Sequence, residues 1–233
     1  MRKLLRTAVL FGMLAGAIEP LGAQIVTVDE GTFDVRIGDL GVGSEAFSIV
    51  RQGEGAEAHT LARAQIRIEL SDATLRMAPL LRTSGLAHTL TRYELKTAGA
   101  EDREVYVEHS GERRLHATVV TSEGEREQEL RFQPDVVVLE GSVAHHFHFL
   151  AVRIASGSTT VPVLIPTSRN QLSADISAGV SEGVEVAGTS VSATRYVVTY
   201  GDQARLVWYD EQMRVLRVED PDGGYVALRR ELP

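Results

Sequence analysis

Along most of the chain apolar and polar side chains alternate with a period of two, the spacing of a β-strand with one face on a core and one in water. In "TFDVRIG" Phe33, Val35 and Ile37 fall on one side, Asp34 and Arg36 on the other. "GDLGVG" reads as a hairpin with a glycine bulge, after which "SEAFSIVR" resumes with Phe47 and Ile49 matched. "LARAQIRIEL", residues 61–70, sets Ile66, Ile68 and Leu70 on a face with Ala64. Further strand-like runs cover 74–81, 90–97, 105–109 and 115–121, separated by Gly, Asp, Glu or Ser. "EREQELRF", residues 125–132, is helical by composition. Its place after a "SEGE" turn and between strand-like runs favours an exposed strand with Leu130 and Phe132 inward.

The period then changes. Ser142 is a plausible helix cap, and Val143, Phe147, Leu150, Ala151 and Ile154 recur at helical spacing through "VAHHFHFLAVRIAS". The same stretch also reads as a strand with His146 and His148 opposite Phe147 and Phe149. The helix over 142–155 is favoured because its apolar stripe runs for three turns. "TVPVLIPTS" is β-rich but carries Pro162 and Pro166, which places it at an edge or leading into a loop. "QLSADISA", "GVEVAG" and "TSVSATRYVVTY" return to strands, and "ASGSTT" at 155–160 reads as a loop within one domain.

The last stretch predicts a three-stranded meander. Leu206 and Trp208 share a face, matched by Leu216 and Val218 across "DEQMR" and by Val226 and Leu228 across "DPDGG". Tyr209, Arg217 and Arg229 take the opposite face. Such a sheet must cover its apolar side with another sheet, a helix or a bound apolar molecule. The fold class is therefore all-β: a large curved antiparallel sheet or incompletely closed β-barrel with one short helix, a β-sandwich being the alternative.

The first residues have a different organisation. Arg2, Lys3 and Arg6 precede the short apolar run "TAVLFGMLAGAI", and Gly22 and Ala23 supply small residues at its exit. That order is the signature of a secretory signal peptide over 1–23, leaving 24–233 as a single β-rich domain. The run is too short to span a bilayer, so no stable membrane span is expected after processing. The address is periplasmic or secreted, and the absence of cysteine excludes both disulfides and a lipid-anchored form of the signal. The whole chain has 24 basic and 32 acidic residues; losing three basic residues and Glu19 moves its formal charge from −8 to −10. An acidic, evenly mixed surface argues against nucleic acid as a partner.

The sequence is sparse in chemistry. In "HHFHF", His145 and His148 stand three apart and could share a metal with Glu140, but one local pair supplies too few ligands, so no metal or cofactor is assigned. His59, His88, His109 and His116 are scattered among predicted strands. No G-x-S-x-G elbow exists, "DPDGG" lacks the spaced oxygen ligands of an EF-hand, and no helix follows "GDLGVG" to bind an anion. A lone Trp beside aliphatics is ordinarily core; its functional reading puts Trp208 on the inner wall of the sheet with Leu216 and Val226.

The run "ATRYVVTYGDQARLVWYDEQMRVLRVEDPDGGYVALR", with "HHFHFLAVRI", "VPVLIP" and "VGSEAFSIVR" upstream, resembles a loose group of exported bacterial proteins of unknown function. The resemblance implies a curved antiparallel sheet or open barrel, similar in outline to periplasmic lipoprotein carriers that hold acyl chains against a sheet. The expected function is a soluble, non-enzymatic envelope protein binding a lipid or acyl group in the concavity, with Phe147, Leu150, Trp208, Leu216 and Val226 as contacts. The alternative is a structural or assembly factor that contacts another envelope protein through a strand edge or acidic face. A hydrolase with a dispersed site ranks below both.

Overall fold

The computed structural model describes residues 25–233. The signal peptide expected over 1–23 lies outside the described residues. From its first strand the chain runs as a meander in which each strand pairs antiparallel with the next. These strands are β1 (Ile25–Ile37), β2 (Leu40–Gln52), β3 (His59–Glu69), β4 (Thr74–Ser84), β5 (Thr89–Gly99), β6 (Arg103–His109), β7 (Arg114–Thr121) and β8 (Gly124–Arg131). A two-residue strand, β9 (Val137–Val138), leads into a 3₁₀ turn, Ala144–Phe147, continued by helix α1 (His148–Ala155). A second arm follows: β10 (Thr160–Ile165), β11 (Asn170–Ile176), β12 (Val180–Val186), β13 (Thr189–Tyr200), β14 (Gln203–Tyr209), β15 (Val215–Asp220) and β16 (Tyr225–Arg229).

The two arms join where β1 pairs with β16, in a register that sets Phe33 opposite Arg229 and Val35 opposite Ala227. One 16-stranded sheet results, ordered β8-β7-β6-β5-β4-β3-β2-β1-β16-β15-β14-β13-β11-β10-β9, with β12 paired to the first half of β13. Its ends, β8 and β9, are consecutive in the chain and share no ladder, so the sheet curls without closing. One side-chain bond draws the margins together: Gln171 Nε2 donates to the Arg131 carbonyl at 2.6 Å. The architecture is thus a large unclosed, barrel-like curved sheet, and the sandwich alternative falls because all strands of the described residues belong to one sheet.

Parity along each strand decides what lies inside. Odd positions of β1 and β2 and even positions of β3 face the concave side, which aligns Phe33, Glu45 and Ile66 in one row across the sheet. Gly43 is required by close approach: a β-carbon there would sit 1.8 Å from the Arg67 carbonyl oxygen. Leu70, expected on the inner face with Ile68, lies one residue past β3 and is exposed. Ile37, at the β1–β2 hairpin, is also largely exposed.

The helical segment fills the concavity, with Ala144, His145, His146, Phe147, Phe149, Leu150 and Ala151 all buried. Ser142 does not cap it. Ser142 adopts a left-handed φ of 60°, Val143 precedes the turn without a side-chain cap, and the first amides donate to Glu45 on the sheet instead. A carboxylate from the wall replaces the local hydroxyl that the sequence offered.

The C-terminal meander differs from expectation by one residue. A bulge between Trp208 and Tyr209 leaves Leu216 unpaired in the ladder, and the extra residue reverses the parity that follows. Val207, Val218 and Ala227 form the inner row together with Tyr209, Val215 and Arg229. Leu206, Trp208, Leu216 and Leu228 face outward, where the β12–β13 hairpin folds back to cover them with Val184, Val186 and Ala193. The expectation that Val218 shares a face with Trp208, and that Tyr209 and Arg229 lie opposite the core, is therefore corrected.

Candidate functional site

The concave side holds the chemically unusual residues, and they cluster where the 3₁₀ turn packs between β3 and β15. Glu45 is fully buried; its carboxylate accepts the Ala144 and His145 amides, each at 2.8 Å, and contacts His145 Nδ1 at 2.7 Å. Small residues Ala62 and Ala64 on the inner face of β3 leave room for the turn. Phe47 stacks on the His145 ring at 5.8 Å and on Phe33 at 5.1 Å. The Arg229 guanidinium also lies against Phe47, 5.4 Å from the ring centroid.

Arg229 and Asp29 form a buried two-pronged ion pair, Nη1 to Oδ2 at 3.0 Å and Nη2 to Oδ1 at 2.7 Å, with further bonds to the Glu30 and Val215 carbonyls. Gly31 leaves room for it, since a β-carbon there would stand a tight 3.1 Å from Arg229 Nη2. The pair spans β1 and β16 and so holds together the strands that unite the two arms.

On the other side of the turn, His146 meets His145 at 4.6 Å between ring centroids and Tyr93 edge-on at 5.6 Å. Burial drives the His146 pKa well below the ordinary imidazole range and the Tyr93 pKa well above the ordinary phenol range. His146 is therefore neutral, with one N–H and one acceptor nitrogen. Yet both His146 ring nitrogens, His145 Nε2 and the Tyr93 hydroxyl are buried without a hydrogen-bond partner among the described residues. Buried polar atoms in native cores are paired in the great majority, so these four gather spare hydrogen-bonding capacity in one place. Two tyrosines behave differently: Tyr209 donates to the Phe147 carbonyl at 2.8 Å, whereas the buried Tyr225 hydroxyl is also unpaired.

A second pair of histidines is made by His88 and by His148, the first residue of α1, which feels the field of His145 and whose Nδ1 is also buried and unpaired among the described residues. His88 lies 6.3 Å from His148, and its pKa is lowered to about 4 by burial and by the neighbouring His148. His148 is lowered by burial too, partly offset by Asp29. His145 and His148 thus turn to different partners, and among the described residues no group of three or more His, Cys, Asp or Glu is placed to hold a metal.

Of the residues expected to line an apolar site, Phe147 and Leu150 lie inside the curved sheet. Trp208 and Leu216 do not join them. Both sit in the outer cluster beneath β12, where Trp208 Nε1 donates to Glu182 and its ring takes the Arg217 guanidinium at 4.8 Å. Val226, half-buried, pairs with Arg36 and Glu219 on the same outer face. The concave constellation is therefore Phe147 and Leu150 with Glu45, Tyr93, His145, His146 and the Asp29–Arg229 pair. Parity could have found part of it: Asp29 and Glu45 share the odd phase of Phe33 and of Phe47, which puts carboxylates on a core face.

Cavities of about 490 and 430 Å³ open elsewhere. The larger is polar, lined by Arg103, Arg126, Thr121 and Arg169 near the open margin; the other is apolar, walled by Ile25, Val50, Leu61 and Thr91. Neither includes Phe147 or Leu150 in its walls. Among the described residues no helix is long and apolar enough to cross a membrane.

No protein-family profile and no curated protein matches the sequence. Among solved structures the chain is similar to the beta-barrel-like protein of domain of unknown function DUF1849 from Brucella abortus. That likeness has 10% identity, covers 86% of this chain and 94% of the other, and has a TM-score of 0.49.

Proposed function

We propose that the protein is a soluble exported envelope protein, periplasmic or secreted, that binds an acyl chain or similar apolar ligand inside its curved sheet and does no chemistry on it. The observation that supports this reading is the nature of the helical segment in the concavity. Its directional contacts to the sheet gather at the N-terminal end, where Glu45 grips Ala144 and His145 and Tyr209 holds the Phe147 carbonyl. Beyond that point α1 packs chiefly through Phe149, Leu150 and Ala151, with one polar tie from Arg153 to the Ala87 carbonyl at 2.9 Å. An acyl tail can exchange with such a surface at little net cost, because each side buries apolar area worth about 25 cal/mol per Å². In this reading α1 pivots about its anchored end toward the open margin of the sheet, and the tail takes the place of Leu150 against Phe147. Trp208, Leu216 and Val226 keep a structural role outside.

Native mass spectrometry of protein purified from its own host tests the proposal. A retained lipid mass, and displacement of that lipid by a fluorescent acyl analogue, are expected. A bare polypeptide mass with no uptake of the analogue would overturn it. A second reading, contact with another envelope protein, draws on the outer edge of β8, where Gly124–Arg131 has no second ladder partner among the described residues. Crosslinking in cells that returns one stoichiometric protein partner would favour it.

A further inference from the structure

The anchored end of the helical segment carries more polar hydrogen-bonding capacity than the fold uses. His145 Nε2, both nitrogens of His146 and the Tyr93 hydroxyl are buried, unpaired among the described residues, and brought together by contacts of 4.6 and 5.6 Å between their rings. Each such atom, left unpaired in a dry interior, carries the desolvation cost of its polar group without return. The charges around them are already committed. Asp29 is locked to Arg229, Glu45 already receives three donors, and Glu140, whose field reaches Tyr93, accepts the Gly141 and Thr167 amides. The interior therefore offers donors and acceptors but no free counter-charge, and a charged group brought there would lose its hydration without compensation.

Building on the acyl-chain reading above, we propose that Tyr93, His145 and His146 form the head-group end of that site and take an uncharged carbonyl or hydroxyl head. A monoacylglycerol or an acyl amide has this chemistry; a carboxylate, a phosphate or an ammonium does not. The His146 N–H meets the carbonyl oxygen, its other nitrogen and the Tyr93 oxygen meet a hydroxyl or amide proton, and the tail runs from there along the place of Leu150.

The test is displacement of the neutral dye Nile red from the intact chain by four ligands of equal tail length: monopalmitoylglycerol, palmitate, palmitoyl lysophosphatidate and hexadecylamine. The glycerol ester is expected to displace the dye at a concentration lower by about tenfold or more, the equivalent of roughly one net buried hydrogen bond. Tyr93→Phe and His146→Phe should each bring that ratio toward one, the circular dichroism spectrum showing that the variant is folded. If His146→Phe fails to fold, Tyr93→Phe, which removes a single oxygen, carries the test. Equal displacement by all four ligands, a preference for a charged one, or an unchanged preference in Tyr93→Phe would overturn the head-group assignment and leave acyl binding standing. Failure of every ligand to displace or occupy the site would instead remove the acyl reading itself.

Discussion

The Glu45 carboxylate and the His145 imidazole are 2.7 Å apart in space and one hundred residues apart in the chain. Through this contact a strand of the first arm caps the helical segment that precedes the second. Neither residue is exposed, so neither can exchange its partner for water.

Removing the cap has a defined cost. Glu45→Ala strands two buried amides and the His145 ring, and should lower unfolding free energy by about 3–5 kcal/mol. Glu45→Gln keeps one acceptor oxygen and should lose less. Urea unfolding measures both, and amide hydrogen exchange at Ala144 and His145 should accelerate in Glu45→Ala before any change appears in β1 or β2.

The Asp29–Arg229 pair is predicted to be costly to break and cheap to replace. Asp29→Ala leaves a guanidinium buried without a counter-ion, a loss of about 3–5 kcal/mol, whereas Asp29→Leu with Arg229→Met should recover most of it. A double-mutant cycle in denaturant checks the coupling. Additive losses would show that the pair does not act as a unit.

Acid should weaken the fold through its histidines. His88, His146 and His148 all have folded pKa values below the unfolded value of 6.5. The unfolded chain therefore binds protons that the folded chain refuses, and stability declines as pH falls below about 6.5. The His88 share of the loss is complete near its folded value of about 4. Glu140, raised by burial, works in the opposite direction over the carboxylate range. Thermal melts between pH 7 and 4.5 should show a falling midpoint, and His88→Gln should flatten that slope.

Trp208 should be blind to the interior. It lies on the outer face beneath Val184 and Val186, so saturation with an acyl ligand should leave its emission unchanged. Trp208→Ala should still destabilise the chain by about 3–5 kcal/mol, because a large buried ring leaves a cavity. An emission shift that tracks ligand concentration would move the binding site to the outer cluster.

The alternating pattern made the strands legible, since each has one wet face and the signal repeats from residue to residue. It failed at Val218 for a physical reason. A bulge adds one residue on one side of a ladder, and no local composition in "DEQMRVLRVED" distinguishes the added residue from a paired one. The added residue moved Val218 to the inner row, while Trp208, Leu216 and Leu228 stayed together as expected but on the outer side, because the face of Val207, Tyr209 and Arg229 is the one that turns inward. The interior polar cluster was harder still. Glu45, Tyr93 and His146 come from three distant segments, and only the curvature of the sheet brings them together. Ser142 misled for a related reason: a cap was needed, but a side chain from another strand supplied it.

The pairing of β1 with β16 governs how the polypeptide reaches its final form. Strands β1 to β8 can zip as they emerge, each onto its predecessor, but the second edge of β1, with Phe33 and Val35, waits for the last strand to be synthesised. Until then it is an open template for adventitious pairing, which makes shielding by a chaperone during biogenesis advantageous. A circular permutant that links residue 233 to residue 25 and opens the chain between the exposed Pro134 and Asp135 would turn that late event into a local hairpin. Its contact order would be lower and its refolding correspondingly faster.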